Sequence, residues 1–425
     1  MNYDKIVQGI MDIGESLLCT GAEIYRVQDS IDRMCASYSF LRQDVFVIQN
    51  NIQITVETKE HEMITQIRHV ETTGFNYDRL DALNGLSRYI CTNRPDDEEL
   101  QKRYREIMDA PTQKAWIIVL AQIVGGTSFA VFFGCNFGDA LIALVLSVFI
   151  VFFGKWLEKR EENLLIYNLI LSFLSEVFAV LAFRAGITGH PDWIMIGVVM
   201  LLVSSLGLIN GIRDVMQANF ISGFLEIMNS LLGAFGIAFG IALAMMLMKW
   251  NGTDHFVINP SVWIQIVSCT IGCIGYASWF GIRGKRMVYS GIGAFITWGI
   301  YLLAFACNGN NFYSVIISSC FVAAYAYMMS RLMKSPSTLF LTGSVFPLMP
   351  GARLYYMMAG MVAGKYAIAF EHLTVIAETC IGIAFGFWII DIVVRNIRKT
   401  GKKLQTDHSL YIGLNDSRKC RKRLR

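Results

Sequence analysis

The pattern of apolar and polar positions changes near residue 115. From Trp116 to about residue 394, long apolar stretches alternate with short polar connections. A helix that crosses the hydrocarbon core of a bilayer needs about 20 apolar residues, and its backbone polar groups must pair within the segment. The pattern therefore predicts about ten membrane-spanning helices, at residues 116–134, 138–156, 164–184, 193–212, 222–249, 261–281, 287–307, 312–330, 337–363 and 372–394.

In the first 114 residues, apolar positions recur at short intervals between polar ones, a pattern that is typical of a soluble domain. Apolar residues recur every three or four positions in two segments, which predicts two amphipathic helices: Ile6, Ile10, Ile13 and Leu17, then Ile24, Val27, Ile31 and Met34. Alternating apolar residues predict strands at 45–48 and 52–56 and a third at about 63–70. Two further helices, at about 77–92 and 96–108, complete a small α+β domain.

Composition and charge support this division. The chain is 54% hydrophobic and 16% charged, whereas soluble domains are about 25% charged. Residues 1–114 hold 13 Lys and Arg against 19 Asp and Glu, and residues 115–425 hold 24 against 14. A single soluble domain is excluded. We expect a cytoplasmic α+β domain at 1–114, five-helix units at 115–255 and 256–396, and a basic cytoplasmic tail at 397–425.

The positions of lysine and arginine predict the orientation, because positively charged connections stay in the cytoplasm. One alternating set of connections is rich in basic residues: Lys155, Lys159, Arg160, Arg213, Arg283, Lys285, Arg286, Arg331, Lys334 and the tail from Arg395. The other set holds little more than Arg184, Lys249 and Lys365. Both termini are therefore predicted to be cytoplasmic, in a multi-pass protein of the plasma membrane.

The predicted spans divide into two sets of five. The first set begins near Trp116 and reaches Ser204-Ser205 about 88 residues later, and the second begins near Val262 and reaches Pro350-Gly351 at a similar offset. A repeat with an odd number of spans must lie in opposite orientations in the two halves. Secondary transporters use such inverted repeats and bind substrate where the repeats meet.

Two segments are predicted to border a substrate. Pro350-Gly351 should break the ninth span and expose backbone N–H and C=O groups to a zwitterion. Arg353 follows directly, and a cation in a span needs a partner or water. Gly207, Asn210, Gly211 and Asp214 share one helical face, which suits either tight helix packing or the lining of an aqueous path.

Three carboxylates within the spans are candidates for carrying a coupling proton. Glu176 lies near the middle of the third span, Glu226 near the start of the fifth and Glu378 within the tenth. A carboxylate in the membrane is costly unless it is paired or protonated. A protonated structural hydrogen bond is the alternative for each of them.

Motifs of cofactor chemistry are absent from the sequence. We find no Walker loop, no GxSxG, no HExxH and no CxxC pair among the ten cysteines. The sequence therefore predicts no enzyme, no cofactor, no metal site and no nucleic-acid partner. Without a Walker loop, transport driven by ATP is disfavoured, which leaves transport of the substrate that is coupled to an ion or passive.

Three segments resemble the threonine/serine exporter family. Residues 21–29 (GAEIYRVQD) resemble its "GA-x-x-x-RVE" segment. Residues 210–214 (NGIRD), with Ser222-Gly223 and Glu226, resemble its "N-x-I-RD … SG" segment. Residues 346–351 (FPLMPG), with Leu354-Tyr355, resemble its "P-x-x-PG-x-x-LY" segment.

This resemblance covers the whole chain and corresponds to a fused form of two separate chains. It implies a plasma-membrane exporter of threonine and serine driven by the proton-motive force, with Tyr355 among the substrate-binding residues. One departure is that Ser204-Ser205 stands where the family usually has Pro-Gly, so we expect only the second half to keep its helix break.

Other functions remain open on the sequence alone. A dicarboxylate exporter of the succinate type could use the same scaffold, but it should need more cations in the membrane interior than Arg353. A membrane sensor that binds ligand through residues 1–114 is a further alternative. The expected partners are a small-molecule substrate, protons and membrane lipid, and the sequence leaves open a homo-oligomer.

Overall fold

The computed structural model describes residues 2–70, 74–203, 205–216, 219–250 and 261–422. The described residues of the N-terminal domain form four helices and one antiparallel sheet of order β1-β2-β3. Its elements are α1 (Tyr3–Cys19), α2 (Ile24–Ser37), β1 (Arg42–Ile48), β2 (Asn51–Glu57), β3 (Met63–His69), α3 (Tyr77–Asn93) and α4 (Asp97–Asp109). This is the predicted combination of helices and strands.

The core of the N-terminal domain is formed by the two predicted apolar stripes. Ile6, Ile10 and Ile13 of α1 are fully buried, and β2 supplies Ile52 and Ile54 from its inner face. Burying a side chain of this size contributes about 1.5–3 kcal/mol. The helices therefore cover one face of the sheet, and the other face is exposed to solvent.

Among the residues that the structure describes, eight helices are long and apolar enough to cross a membrane. They are α5 (Ala115–Phe132), α6 (Phe137–Glu158), α7 (Leu164–Arg184), α10 (Phe220–Met248), α11 (Val262–Trp279), α12 (Lys285–Asn308), α13 (Asn311–Met333) and the first part of α16 (Tyr366–Lys422). The mostly helical fold is thus confirmed, with eight continuous candidate spans in the described part of the chain where ten were predicted.

The other two predicted spans are interrupted helices. Residues 193–212 fall into α8 (Pro191–Leu202) and α9 (Ser205–Met216). Residues 337–363 fall into α14 (Ser337–Val345), a 3₁₀ turn (Phe346–Leu348) and α15 (Gly351–Val362). Because no proline stands at 203–205, the first break was not expected, and the expectation that only the second half is broken is wrong.

The residue that follows the first helical part at each break has a similar extended backbone conformation. Val203 ends α8 at φ −73°, ψ 119°, and Met349 ends the 3₁₀ turn at φ −71°, ψ 131°. These residues are 146 positions apart, as are the first residues of α8 and α14 and the first residues of α9 and α15. The two interrupted helices are therefore separated by the same number of residues at their beginnings and at their breaks.

Helix packing is also repeated between the halves. Gly240 of α10 lies against Ser172 of α7, and a Cβ at that position would overlap the serine hydroxyl. Gly386 of α16 lies against Ser319 of α13 in the same way. Small residues of this kind allow helix backbones to approach closely in lipid. Between the halves, α5 packs on α11, α10 on α15, and α16 on α9.

The N-terminal domain is attached to one end of the membrane helices, which we call the proximal face; the opposite end is the distal face. Two ion pairs join α3 to the membrane helices. Arg283, in the connection before α12, lies with Nη1 3.3 Å from Asp78 Oδ2, and Arg286, in the first turn of α12, lies with Nη2 2.5 Å from Asp81 Oδ2. The Tyr77 hydroxyl lies 2.9 Å from the Thr342 hydroxyl of α14. The domain therefore contacts an interrupted helix directly.

Candidate functional site

The break between α14 and α15 forms part of the wall of a small cavity between the membrane helices. Pro350 precedes α15 and provides no side-chain hydrogen bond to the helix start. The N–H groups of the first turn have no partner within a helix, and they carry the positive end of the helix dipole. The break is therefore suited to an anionic group of a ligand.

The cavity has a volume of ≈ 80 Å³. One water molecule requires about 10–15 Å³ on a comparable measure, so the space exceeds that of a single water. Its wall is both aromatic and polar, and includes Phe132, Trp298, Tyr301, Asn311, Pro350, Ala352, Arg353 and Thr379. A small polar solute matches this space better than a large apolar one.

The polar wall of the cavity is a hydrogen-bonded chain across three helices. The Tyr301 hydroxyl donates to Asn311 Oδ1 at 3.0 Å. Asn311 Nδ2 donates to the Thr379 hydroxyl at 3.2 Å. Sequence reasoning missed these three residues, since an isolated amide or hydroxyl near a helix end carries no signal of its own.

Arg353 lies at the break as the sequence predicted. Its Nη1 donates to Nδ1 of His372 on α16 at 3.1 Å. His372 is buried and its ring packs against the Tyr356 ring, with centroids 5.6 Å apart. The guanidinium is therefore held beside the cavity by a neighbouring helix, and Pro350, Gly351 and Arg353 are brought together.

Tyr355 and Glu176 meet in a separate buried cluster with Asp192. The Tyr355 hydroxyl donates to Asp192 Oδ1 at 2.5 Å and lies 3.4 Å from Glu176 Oε1. The indole N–H of Trp250 also donates to Asp192 Oδ1, at 3.2 Å. Glu176 and Tyr355 are fully buried and Asp192 is 1% exposed. Asp192 was missed by the sequence analysis because it precedes the predicted span at 193.

The polar face on α9 packs tightly instead of lining the cavity at the second break. A Cβ on Gly211 would come within 2.8 Å of the Gly223 carbonyl oxygen of α10. Gly207 and Asp214 are also buried, while Asn210 is half-buried. The sequence left two interpretations of this face open, helix packing and the lining of an aqueous path, and Gly211 fits helix packing. Gly207, Asn210 and Asp214 do not line the cavity beside Pro350.

Glu226 and Glu378 lie apart from Glu176. Glu226 is half-buried near the proximal end of α10, where it accepts a hydrogen bond from Gln49 of the N-terminal domain. Glu378 is half-buried on α16, next to the cavity residue Thr379. The three predicted proton carriers thus occupy three separate environments, and only Glu176 is fully buried.

A larger cavity of ≈ 990 Å³, which we call the vestibule, lies between the N-terminal domain and the proximal ends of the membrane helices. Charged side chains from both regions line it, including Arg26, Asp29, Asp32, Arg88, Asp391 and Arg395. Burial, together with the charge of Asp29, raises the pKa of the Asp32 carboxyl. The vestibule is lined by many charged side chains of both signs, whereas Arg353 is the charged residue in the lining of the cavity at the break.

The Glu23–Arg26 pair of the N-terminal domain lies beside this vestibule. The two side chains form a salt bridge, with Arg26 Nε 3.2 Å from Glu23 Oε2. The Thr338 hydroxyl donates to Glu23 Oε1 at 3.3 Å. The pair therefore joins α2 to the beginning of α14, the helix that leads to the break.

Comparison with known proteins decides the family. A threonine/serine exporter model, ThrE, matches residues 8–248, more than half of the chain. The chain belongs to the threonine/serine exporter family. A second threonine/serine exporter model, ThrE_2, matches residues 265–393. The predicted resemblance is confirmed, and the chain is a multi-pass membrane transporter that exports amino acids.

One curated relative extends the match over nearly the whole chain. The threonine/serine exporter of Corynebacterium glutamicum is 20% identical over 423 residues, which cover 92% of this chain and 84% of the relative. No solved structure matches the chain. The two family models together cover the N-terminal domain and both halves of the membrane region.

Proposed function

We propose that this chain exports threonine and serine from the cytoplasm in exchange for protons, and that the cavity at the break between α14 and α15 binds the amino acid. The observation that carries the proposal is the meeting of an interrupted helix, a half-buried arginine and a hydroxyl- and amide-lined wall around ≈ 80 Å³ of space. The family and the curated relative favour the same two amino acids.

Each part of a small hydroxy amino acid has a matching group in this cavity. The carboxylate would accept from Arg353 and from the N–H groups at the start of α15. The side-chain hydroxyl would exchange hydrogen bonds with Asn311 and Thr379, which lie 3.2 Å apart. Carbonyl groups before the break would accept from the ammonium. Larger side chains would fit less well, because Phe132 and Trp298 occupy part of the wall around this small space.

The alternating movement would come from two inverted five-helix repeats. Support comes from the equivalent breaks at Val203 and Met349 and from the matched contacts Gly240–Ser172 and Gly386–Ser319. The fifth helix of each half packs on the second part of the interrupted helix of the other half. Repeats connected in this way can rock against each other and expose a central site to one side at a time.

The vestibule would be the cytoplasmic entrance. The proximal face carries the basic connections around Arg283, Arg286 and Lys334, which favour the cytoplasm. Charges of both signs in the vestibule suit a zwitterion, which is attracted to neither sign alone. On this account both termini are cytoplasmic, and the cavity at the break lies deeper along the path.

Proton coupling would depend on Glu176, with Glu226 and Glu378 as further candidates. Glu176 is fully buried in the middle of α7. A charged carboxylate at such a position is costly, so proton uptake there is favoured unless a cation approaches. Glu226 faces the N-terminal domain and is better placed to respond to substrate entry.

The test is efflux from cells preloaded with labelled threonine or serine, with and without a protonophore. We expect export that collapses with the protonophore.

Arg353→Gln should lower export by about tenfold or more, since a charged hydrogen bond contributes about 1.5–3 kcal/mol. Arg160→Gln is the matched control, because Arg160 is exposed and packs over the Trp156 ring away from the cavity. Export no faster than in cells without the protein would contradict the proposal, and labelled succinate would then be tested.

A further inference from the structure

The cluster of Glu176, Asp192 and Tyr355 joins the two halves of the membrane region. Glu176 lies on α7 and Asp192 on α8, both in the first half, while Tyr355 lies on α15 in the second. One hydroxyl contacts both carboxyl groups, at 3.4 Å and 2.5 Å. A phenol between two carboxyl groups can accept a proton from one and donate a proton to the other.

The two carboxyl groups have different surroundings. Asp192 is the second residue of α8, after Pro191, where the helix dipole favours a negative charge. It also accepts hydrogen bonds from Tyr355 and from Trp250. Glu176 lies inside α7, and its Oε2 is buried without a hydrogen-bond partner among the described residues. The charge is therefore better accommodated on Asp192, and the proton on Glu176.

We propose that Asp192 is the second carboxyl group of the proton site, and that a proton moves between Asp192 and Glu176 through the Tyr355 hydroxyl. This inference rests on the proposed proton-driven export. In the inward direction, protonated Asp192 gives its proton to Tyr355 Oη while the Tyr355 O–H bond breaks and its proton passes to the Glu176 carboxylate. Tyrosine remains neutral, and the negative charge moves from Glu176 to Asp192.

The position of the proton would control how firmly α15 is held. When Asp192 is charged, its hydrogen bond from Tyr355 is charge-assisted, and such bonds are roughly twice as strong as neutral ones. Protonation of Asp192 weakens that bond. Tyr355 stands four residues after Gly351, so a weaker bond loosens the helix that begins at the break. Proton transfer and movement of the substrate site are thereby linked through one hydroxyl.

The experiment compares two transport modes of the purified full chain in liposomes. Threonine exchange at equal pH requires only that the loaded site moves, whereas net efflux driven by a pH gradient also requires proton transfer. Tyr355→Phe should lower gradient-driven efflux by at least about tenfold and change exchange by a clearly smaller factor, because exchange requires α15 to move but requires no proton transfer. Asp192→Asn should have the same effect. Tyr325→Phe is the control, because the Tyr325 hydroxyl donates to the Tyr289 carbonyl oxygen outside the cluster.

The outcomes distinguish this inference from the proposed function. If the unsubstituted chain shows exchange but no response to a pH gradient, the proton-driven function is wrong and the relay with it. If the unsubstituted chain responds to the gradient and Tyr355→Phe responds equally, only the relay is overturned. Loss of both modes in Tyr355→Phe and Asp192→Asn, with both proteins monodisperse, would also overturn it and assign the cluster a structural role.

Discussion

Arg26 of the N-terminal domain donates a hydrogen bond from Nη2 to the Ser337 hydroxyl at 2.5 Å, at the first residue of α14. The same guanidinium pairs with Glu23, whose side chain is 5% exposed. Glu23 is also the N-cap residue of α2, and Thr338 donates to its carboxylate. The N-terminal domain is thus bonded to the helix that ends at the cavity beside Pro350.

Removing this contact should loosen the N-terminal domain. Arg26→Ala takes away both the ion pair and the bond to Ser337, and we expect a loss of about 2 kcal/mol, since hydrogen bonds to charged groups contribute about 1.5–3 kcal/mol. Thermal unfolding of the purified full chain would measure the loss as a lower Tm. The control is Arg33→Ala, because the Arg33–Asp29 pair is 70% and 53% exposed and exposed i,i+4 pairs contribute about 0.3–0.5 kcal/mol. Equal Tm values for the two variants would contradict a stabilising role for the contact between Arg26 and α14.

The glycine contacts between helices predict a second effect on stability. A Cβ at Gly240 would overlap the Ser172 hydroxyl and the Leu169 carbonyl oxygen, and one at Gly386 would overlap the Ser319 hydroxyl. Overpacking costs about 1–3 kcal/mol, so Gly240→Val and Gly386→Val should both lower the Tm. At Gly299, an added Cβ would meet no atom within 4 Å. Gly299→Ala should therefore leave the Tm unchanged or raise it, because alanine in a helix is more stable than glycine by up to about 1 kcal/mol in the free energy of unfolding.

Cysteine labelling tests the proposed orientation. Cys307 is exposed near the distal end of α12, whereas Cys19 belongs to the N-terminal domain. In variants that retain one cysteine each, a membrane-impermeant maleimide added to intact cells should label Cys307 and leave Cys19 unlabelled. Permeabilised cells, in which both sides are accessible, are the control. Labelling of Cys19 in intact cells would place the N-terminal domain outside and overturn the cytoplasmic entrance.

The Asp32 carboxyl predicts a pH-dependent difference in stability. Burial and the charge of Asp29 raise the pKa of Asp32 above its ordinary value of 3.8. The folded state therefore binds the proton of the Asp32 carboxyl more tightly than the unfolded state does. Protonation of Asp32 stabilises the folded state at low pH, and this stabilisation is lost as the pH rises through the folded-state pKa. At pH 7.5, Asp32→Asn should have a higher Tm than the unsubstituted chain, and the difference should shrink as the pH falls towards 4.5. A difference that grows on acidification would contradict this environment for Asp32.

The sequence predicted elements whose signals are local. The apolar stripe of Ile6, Ile10 and Ile13 predicted α1, and eight long apolar segments predicted the continuous spans. The second break was predictable because Pro350 removes a backbone donor. The break after Val203 carries no proline, so it could not be separated from a continuous helix by composition alone.

The candidate site was predicted only where a residue is unusual for a membrane helix. Arg353 and Glu176 attract attention because charge in a span is costly. Asp192 lies at a helix end, where an acidic residue is ordinary, and its bond to Tyr355 joins residues 163 positions apart. The polar face of Gly207, Asn210 and Asp214 has the right periodicity, but close packing of α9 on α10 produces the same spacing.

The most direct test of proton-driven export is to record proton movement during threonine transport by the purified chain in liposomes that contain a pH-sensitive dye. An imposed threonine gradient, with no initial pH difference, should drive protons in the opposite direction. The proton signal should disappear without threonine and be at least about tenfold smaller in Tyr355→Phe. Threonine movement without any proton movement in the unsubstituted chain would contradict the account.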